Sequence, residues 1–154
     1  MKLTKTNEVL RTFEVNVQKQ AKENAEQTSN TGKLVSSINI DDEEKSAHII
    51  VNINMEHYGE WVDEGRKPGK GIPVDVLQKW ISSKNMLLED KNGNELPMTP
   101  SRLDSLSYVI NRKIKEEGIK PTYFLTDAVD KYFPKLEVDL PNAYADDLID
   151  NLFE

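Results

Sequence analysis

Apolar residues recur every three or four positions near the start of the chain, which is the spacing of one face of a helix. The stripe consists of Leu10, Phe13, Val17 and Ala21. The other faces of this segment carry lysine and glutamate side chains, so the pattern predicts an amphipathic helix over residues 7–30. Gly32 suits the left-handed conformation that commonly ends a helix, and we expect the helix to stop there.

A period of two replaces the helical spacing after residue 33. The alternating positions are Leu34, Ser36, Ile38 and Ile40 in one segment and Ala47, Ile49, Val51, Ile53 and Met55 in the next. This alternation and its β-branched residues predict two strands, and the polar residues 41–46 predict the connection of an antiparallel hairpin. Because His48, Asn52 and Asn54 share one face of the second strand, we expect only the other face to be packed against helices.

The middle of the chain predicts a loop and then two helices. Residues 56–72 combine aromatic side chains with Gly, Pro and basic residues, which predicts an extended piece leading into a loop. Pro73 suits the start of a helix. Its expected apolar face is Val74, Leu77, Trp80 and Ile81. Thr99 and Pro100 predict the cap and first turn of a further helix, which we expect to end at Gly118.

Prolines divide the last part of the chain. We expect residues 119–124 to be extended around Pro121, and a short helix to follow from Thr126 to Phe133. Pro134 is expected to kink or end that helix, and Pro141 to begin a last one. The whole pattern predicts an α+β fold: a long N-terminal helix, an antiparallel hairpin with an extended loop, and two or three further helices.

Composition limits the core and excludes several classes of protein. Of the 154 residues, 37% are hydrophobic and 31% are charged, so the core should be modest and part of the apolar surface left for a partner. The sequence has no cysteine, which excludes disulfides, thiolate nucleophiles and cysteine-bound metals. No apolar run approaches the roughly 20 residues that span a bilayer, and we expect no membrane partner and no signal peptide.

Charge is concentrated at the C-terminus. Residues 137–154 hold six acidic and no basic residues, whereas the rest of the chain holds 20 basic and 21 acidic ones. We therefore predict a domain over residues 1–136 and an acidic, helical tail over 137–154. The tail is either a solvated terminal helix, an arm that binds a basic partner, or a surface that repels passing DNA.

Residues with catalytic or metal-binding chemistry are few. His48 and His57 are nine residues apart, and nothing in the spacing of the nearby carboxylates requires a metal site. The loop from Gly65 to Gly71 lacks the Ser or Thr that a phosphate-binding loop places after its lysine. We therefore expect no catalytic residue, no cofactor and no metal. A nucleic-acid module remains an alternative, with basic side chains of this loop on phosphates and nearby aromatic rings on bases.

Two segments together resemble a known family. Residues 58–66 read Tyr-Gly-Glu-Trp-Val-Asp-Glu-Gly-Arg, and residues 118–128 read Gly-Ile-Lys-Pro-Thr-Tyr-Phe-Leu-Thr-Asp-Ala. In this order, behind a helix and a hairpin, they resemble the small neck and tail-completion proteins of long-tailed bacteriophages. The resemblance covers roughly residues 5–135. The sequence departs from the family pattern at Tyr123, where the family often has proline.

The resemblance implies a structural protein of the virion without catalysis. Such proteins share an α+β fold and assemble into rings, here expected to be six- or twelve-fold, at the head–tail junction or the top of the tail tube. The partners that the resemblance implies for this chain are further copies of it and the adjoining neck, connector or tail-tube proteins. DNA would pass through the lumen of the ring without specific binding.

The resemblance also implies roles for individual residues. The extended loop, residues 63–73, would join neighbouring subunits. The interface candidates are Tyr58, Trp61, Arg66, Lys67 and Lys70. For Tyr58 and Trp61, an ordinary core role is the alternative to an interface role. Phe124 and Ala128 would dock the last short helix onto the sheet. An adaptor whose acidic tail neutralises a basic partner is a further alternative function.

Overall fold

The chain folds into two compact units, seen in a computed structural model that describes residues 2–28, 32–45, 48–84 and 86–153. One unit combines residues 1–56 with 123–154, and we call it the terminal unit. Residues 57–122 form the other, the central unit. The fold is α+β with a long N-terminal helix and an antiparallel hairpin, which confirms the predicted class.

The terminal unit is built on two long helices. Its elements are α1 (Thr4–Thr28), α2 (Gly32–Ser37), β1 (Asn39–Lys45), β2 (His48–Asn54) and α6 (Thr126–Phe153). The predicted apolar stripe of α1 is buried at Leu10, Val17 and Ala21. Helix α6 packs along α1 and brings small residues to the contact, Ala128 and Ala143, so the two backbones approach closely.

The second strand of the hairpin lies where it was predicted, but the first lies further along the chain. Residues 34–37, expected as strand, belong to α2, and residues 41–45, expected as the connection, belong to β1. Both expectations are wrong, because backbone pairing rather than side-chain alternation determines the strand: β2 pairs Ile53 with Ile40 and Val51 with Asp42. Ala47 lies outside the described residues.

Helix α6 is continuous across both of its prolines. The expectation that Pro134 ends a short helix and Pro141 begins another is wrong, since both lie inside one helix of 28 residues. Each proline removes one backbone donor, but both are solvent-exposed, and packing against α1 holds the helix together. The predicted domain boundary between residues 136 and 137 lies within this helix.

The central unit has three helices and a small hairpin. Its elements are α3 (Gly59–Glu64), α4 (Val74–Ser83), β3 (Leu88–Glu89), β4 (Glu95–Leu96) and α5 (Pro100–Glu117). Its fully buried core is Ile72, Leu77 and Ile81, covered by partly buried side chains of α4 and α5. The prediction of an extended conformation before the loop is wrong, because residues 59–64 form helix α3. A helix of six residues is too short to show a helical period in the sequence.

The ends of α5 follow the sequence signals. The Thr99 hydroxyl accepts a hydrogen bond from the Arg102 amide at 3.3 Å, and Pro100 occupies the first turn. Gly118 ends the helix with φ +77°, and its amide donates to the Ile114 carbonyl at 2.8 Å. The chain therefore leaves α5 in a fixed direction, toward the loop that begins at Arg66.

Candidate functional site

The two segments that carry the family resemblance contact each other directly. Arg66 and Ile119 exchange backbone hydrogen bonds, with N···O distances of 2.8 and 2.7 Å. Four residues before Arg66, the Val62 carbonyl accepts from the Thr122 amide at 3.0 Å and from its hydroxyl at 2.7 Å. A short antiparallel bridge thus joins the two ends of the central unit.

Two glycines make this close approach possible. Gly65 and Gly118 both have positive φ, +73° and +77°, which disfavours any other residue. A β-carbon on Gly65 would lie 2.5 Å from the Ile119 carbonyl oxygen, and one on Gly118 would overlap the Arg66 carbonyl oxygen. The bridge therefore requires glycine at both positions for steric as well as conformational reasons.

The Arg66 side chain closes its own loop. Its Nε donates to the Lys70 carbonyl at 3.1 Å, and its Nη2 donates to the Gly71 carbonyl at 2.8 Å. The guanidinium lies over the Trp61 ring, 5.1 Å from the centroid, and the Gly69 amide donates to the Lys115 carbonyl at 2.8 Å. The predicted interface loop is thus held within the chain, and its exposed cations are Lys67 and Lys70.

Asn111 is a site residue that the sequence analysis missed. Its amide oxygen accepts from the Ile72 amide at 2.8 Å, and its amide nitrogen donates to the Ile72 carbonyl at 3.0 Å. The side chain therefore pairs with the loop backbone as a neighbouring strand would. The available signal was its position: Asn111 lies beside the apolar stripe of α5, four residues after the buried Ser107 and three before Ile114.

An apolar groove opens beside this loop. It has a volume of about 270 Å³ and apolar walls. The lining residues are Tyr58, Trp61, Val62, Ile72, Val76, Leu77, Trp80, Ile110, Ile114 and Ile119. The structure thus brings two predicted interface residues, Tyr58 and Trp61, into one concave surface with Trp80, the only other tryptophan of the chain.

Two cations lie over the tryptophan rings of the groove. Arg66 lies over Trp61, and the Lys84 ammonium lies 5.0 Å from the centroid of Trp80. Burial lowers the pKa of Lys84. His57 stacks on Trp61 at 6.2 Å between ring centroids. The groove therefore combines an apolar floor with positive charge beside it, an arrangement that suits an apolar ligand bearing carboxylates.

Tyr58 is the buried member of the groove. The residue is 8% exposed, and its hydroxyl oxygen has no hydrogen-bond partner among the described residues. An unpaired buried hydroxyl destabilises the fold by roughly 1–3 kcal/mol. The two predicted interface residues therefore differ: Tyr58 is buried, while Trp61 is partly exposed at the groove.

In the terminal unit, the acidic segment is partly engaged within the chain. The buried Asp147 carboxylate accepts from the Lys5 amide at 3.0 Å and from the Thr6 amide and hydroxyl at 2.8 and 2.7 Å. It caps the first turn of α1 from 141 residues away. Burial raises the pKa of Asp147, but these hydrogen bonds outweigh it and hold the pKa below its ordinary value. Deletion of residues 137–154 would remove this cap.

Phe124 and Ala128 lie in the core of the terminal unit at the start of α6. They are 1% and 0% exposed, and the Phe124 carbonyl accepts from the Asn24 side chain of α1 at 3.0 Å. Helix α6 has its contacts along α1. Just before them, Tyr123 has φ +54°, a conformation that the ring of proline forbids.

Comparisons with known proteins leave the family resemblance resting on the motifs alone. No family model, no curated protein and no solved structure matches the chain. In residues 2–28, 32–45, 48–84 and 86–153 there is no helix long and apolar enough to cross a membrane. Within these same ranges, His48 and His57 belong to no group of three side chains that would hold a metal ion.

Proposed function

We propose that this protein is a structural subunit of a bacteriophage neck or tail, one that assembles with copies of itself into a ring joining head and tail. The observation that carries the proposal is the apolar groove of the central unit. Residues of the first resemblance motif, Tyr58 and Trp61, line it, and the bridge to the second motif fixes its wall at Ile119. Residues of both motifs therefore line one surface.

The groove has the composition of a binding surface. Tryptophan, tyrosine and arginine are the residues most enriched where protein interfaces gain their affinity, and all three meet here. Filling an apolar groove removes its surface from water, which stabilises a complex by roughly 25 cal/mol for each Å² of apolar surface buried. The loop beside it is already held by Arg66 and Asn111, so little ordering is required on binding.

The charge of the chain supports passage of DNA through such a ring. The net charge is −7, and repulsion between an acidic protein and the DNA backbone favours sliding over binding. The ring would be located in the virion and would contact the adjoining neck, connector or tail-tube proteins.

The test is the mass of the purified chain over a concentration series, with electron micrographs of the same samples. Closed rings of six or twelve subunits are expected. The opposing result is a monomer at every concentration together with DNA binding that weakens steeply with salt and is lost in the double variant Lys67→Glu, Lys70→Glu. The variant Lys79→Glu, Lys91→Glu reverses two other exposed lysines of the central unit and serves as the control.

A further inference from the structure

The face of α6 that points away from α1 carries a second apolar stripe. Its members alternate in steps of four and three residues, which is the spacing of a coiled-coil seam. They are Pro134, Val138, Pro141, Ala145, Leu148 and Leu152, and all are exposed. The buried residues of the same helix, Ala128, Ala143 and Asp147, lie on the opposite side. A stripe of this kind, left in solvent, indicates a contact surface.

The exposed surface is most apolar at the end of the helix. Ile149 is 52% exposed, Leu152 78% and Phe153 86%. These side chains stand in the segment of charge −6, with Asp146 exposed beside them. At the end of α6, Leu152 and Phe153 are therefore largely uncovered within the described residues, and Leu148 and Ile149 are about half covered. Of the nearby carboxylates, Asp147 accepts from the first amides of α1 and Asp150 pairs with Lys5 at 2.9 Å, while Asp146 is exposed.

The groove of the central unit has the complementary character. Its walls are apolar, and Arg66 and Lys84 lie over its tryptophan rings. Residues 57–122 contain 11 basic and 10 acidic residues, whereas the remainder contains 9 basic and 17 acidic ones. One chain thus presents an acidic apolar ridge and an apolar groove with cations, two different surfaces that suit each other.

We propose that the last two turns of α6 in one copy bind the central groove of a second copy, with Leu152 and Phe153 as the anchors. The interaction is a helix in a groove, with the exposed carboxylate of Asp146 on the side where Arg66 and Lys84 lie. It rests on the self-assembly in the proposed function and specifies its interface. Because the two surfaces differ, a pair of copies keeps one groove and one helix end free, so the contact repeats head to tail and closes into a ring when the rotation permits.

Pairing of two α6 stripes is the main competing arrangement. It would place two segments of charge −6 side by side, which opposes association at low salt. The groove offers cations instead. Charge complementarity therefore favours the groove as the site for the helix end.

Tryptophan fluorescence measures occupation of the groove directly, because both tryptophans of the chain line it. In wild type, the emission should shift to shorter wavelength as the protein concentration rises. The mass measured by sedimentation should increase over the same range of concentration. The double variant Leu152→Asp, Phe153→Asp should weaken association at least about 100-fold and abolish the shift. The double variant Tyr108→Asp, Val109→Asp makes the same change at exposed apolar residues of α5 and should associate as wild type.

Mixing two variants distinguishes the arrangements. Val76→Glu places a charge in the groove, and Lys84→Glu reverses a cation there without disturbing the buried core; circular dichroism checks that both fold. Each groove variant, and the helix-end variant, should be monomeric alone. A mixture of a groove variant with the helix-end variant retains one intact groove and one intact helix end, so it should form dimers and no larger species.

Three results would overturn the proposed interface. They are a wild-type chain that stays monomeric at all concentrations, a helix-end variant that associates as wild type does, and groove variants that still associate without a fluorescence shift. Rings that persist in the helix-end variant would reject this contact while leaving the proposed ring function intact. If the variants show the head-to-tail contact but wild type forms no closed ring, the contact would stand and the proposed ring function would be rejected.

Discussion

The terminal and central units bury their apolar residues in different ways. In the terminal unit the stripe of α1 is covered by α6, down to fully buried alanines such as Ala21 and Ala128. In the central unit three core side chains are buried, while Trp61 and Trp80 remain partly exposed around an open groove. The comparison shows two kinds of uncovered apolar surface in one chain: the outer face of α6 beside a closed helix pair, and a concave groove beside a small core.

The units also fix their backbones differently. The terminal unit uses side chains from distant positions, such as Asp147 on the start of α1. The central unit adds to such side-chain contacts, here from Asn111, a backbone pairing between Arg66 and Ile119 that depends on the flanking glycines. We expect substitutions in the first unit to act through charge and pH, and those in the second through steric fit.

The largest effect is expected at Gly118. In Gly118→Ala the new methyl group meets the Arg66 carbonyl at a positive φ, so the bridge must open, destabilising the central unit by more than about 3 kcal/mol. Urea unfolding followed by tryptophan fluorescence measures it. Gly93→Ala is the control, since φ is +82° there but nothing lies within 4 Å. Its cost should be only about 1 kcal/mol, and equal losses in the two variants would argue against the steric account.

The next effect is pH-dependent and belongs to the terminal unit. Burial of Glu14 and the facing carboxylates Asp42 and Asp41 raise its pKa from 4.5 to about 7, although Arg11 opposes the shift. The folded state therefore binds an extra proton between these values, so its stability falls as pH rises from 4.5 to 7 and is level above. Glu14→Gln removes this dependence and should stabilise the protein above pH 7 by up to about 3 kcal/mol.

Urea midpoints from far-UV circular dichroism at a series of pH values test the Glu14 prediction. The exposed Glu26→Gln in the same helix should follow wild type. A difference between wild type and Glu14→Gln that stays constant from pH 4 to 8 would refute the raised pKa.

A smaller effect, with the opposite dependence of stability on pH, is expected at Asp147. Because its pKa lies below the ordinary 3.8, its carboxylate stabilises the fold above that pH, and the contribution is lost as pH falls through the lowered value. Asp147→Asn should lower the urea midpoint at neutral pH and match wild type in strong acid. Asp146→Asn, exposed one residue earlier, is the control. A deficit that persists unchanged in acid would indicate lost packing instead.

The smallest effect is expected at Arg66. Lysine keeps the charge but not the two-pronged contact with the Lys70 and Gly71 carbonyls, so Arg66→Lys should destabilise the central unit by about 1 kcal/mol. Unfolding followed by tryptophan fluorescence measures this too. Lys67→Ala, exposed in the same loop, should be neutral. A neutral Arg66→Lys would mean that the loop is held by Asn111 and Gly69 without it.

Sequence reasoning worked where the signal is local. The Thr99–Pro100 cap and the Gly118 stop define α5, and the four-residue spacing defines α1, because each depends on neighbours within one or two turns. It failed where a distant partner decides. Residues 41–45 are strand because β2 pairs with them, and α6 continues through Pro134 because α1 supports it.

The candidate site shows the same division. The motif residues Tyr58, Trp61 and Arg66 were identified from their types and order, and the structure places them together. Asn111 and Asp147 were not identified, because their side chains bind backbone groups that are distant in the sequence. Asn111 binds Ile72, 39 residues away, and Asp147 binds Thr6, 141 residues away. The groove itself is a property of three helices and a loop, and no single segment contains its pattern.

The bridge between Arg66 and Ile119, with the Val62–Thr122 contact beside it, also has a consequence for protein engineering. The incoming and outgoing strands of the central unit run side by side at hydrogen-bonding distance. In the sequence, the central unit is thus an insertion between the two segments that form the terminal unit, and the backbone bridge lies close to both ends of the insertion. Insertions with adjoining ends can be exchanged, shortened or grafted without rerouting the host chain. A graft of the central unit therefore has to begin before α3, because Tyr58 and Trp61 of the groove lie on the N-terminal side of the bridge.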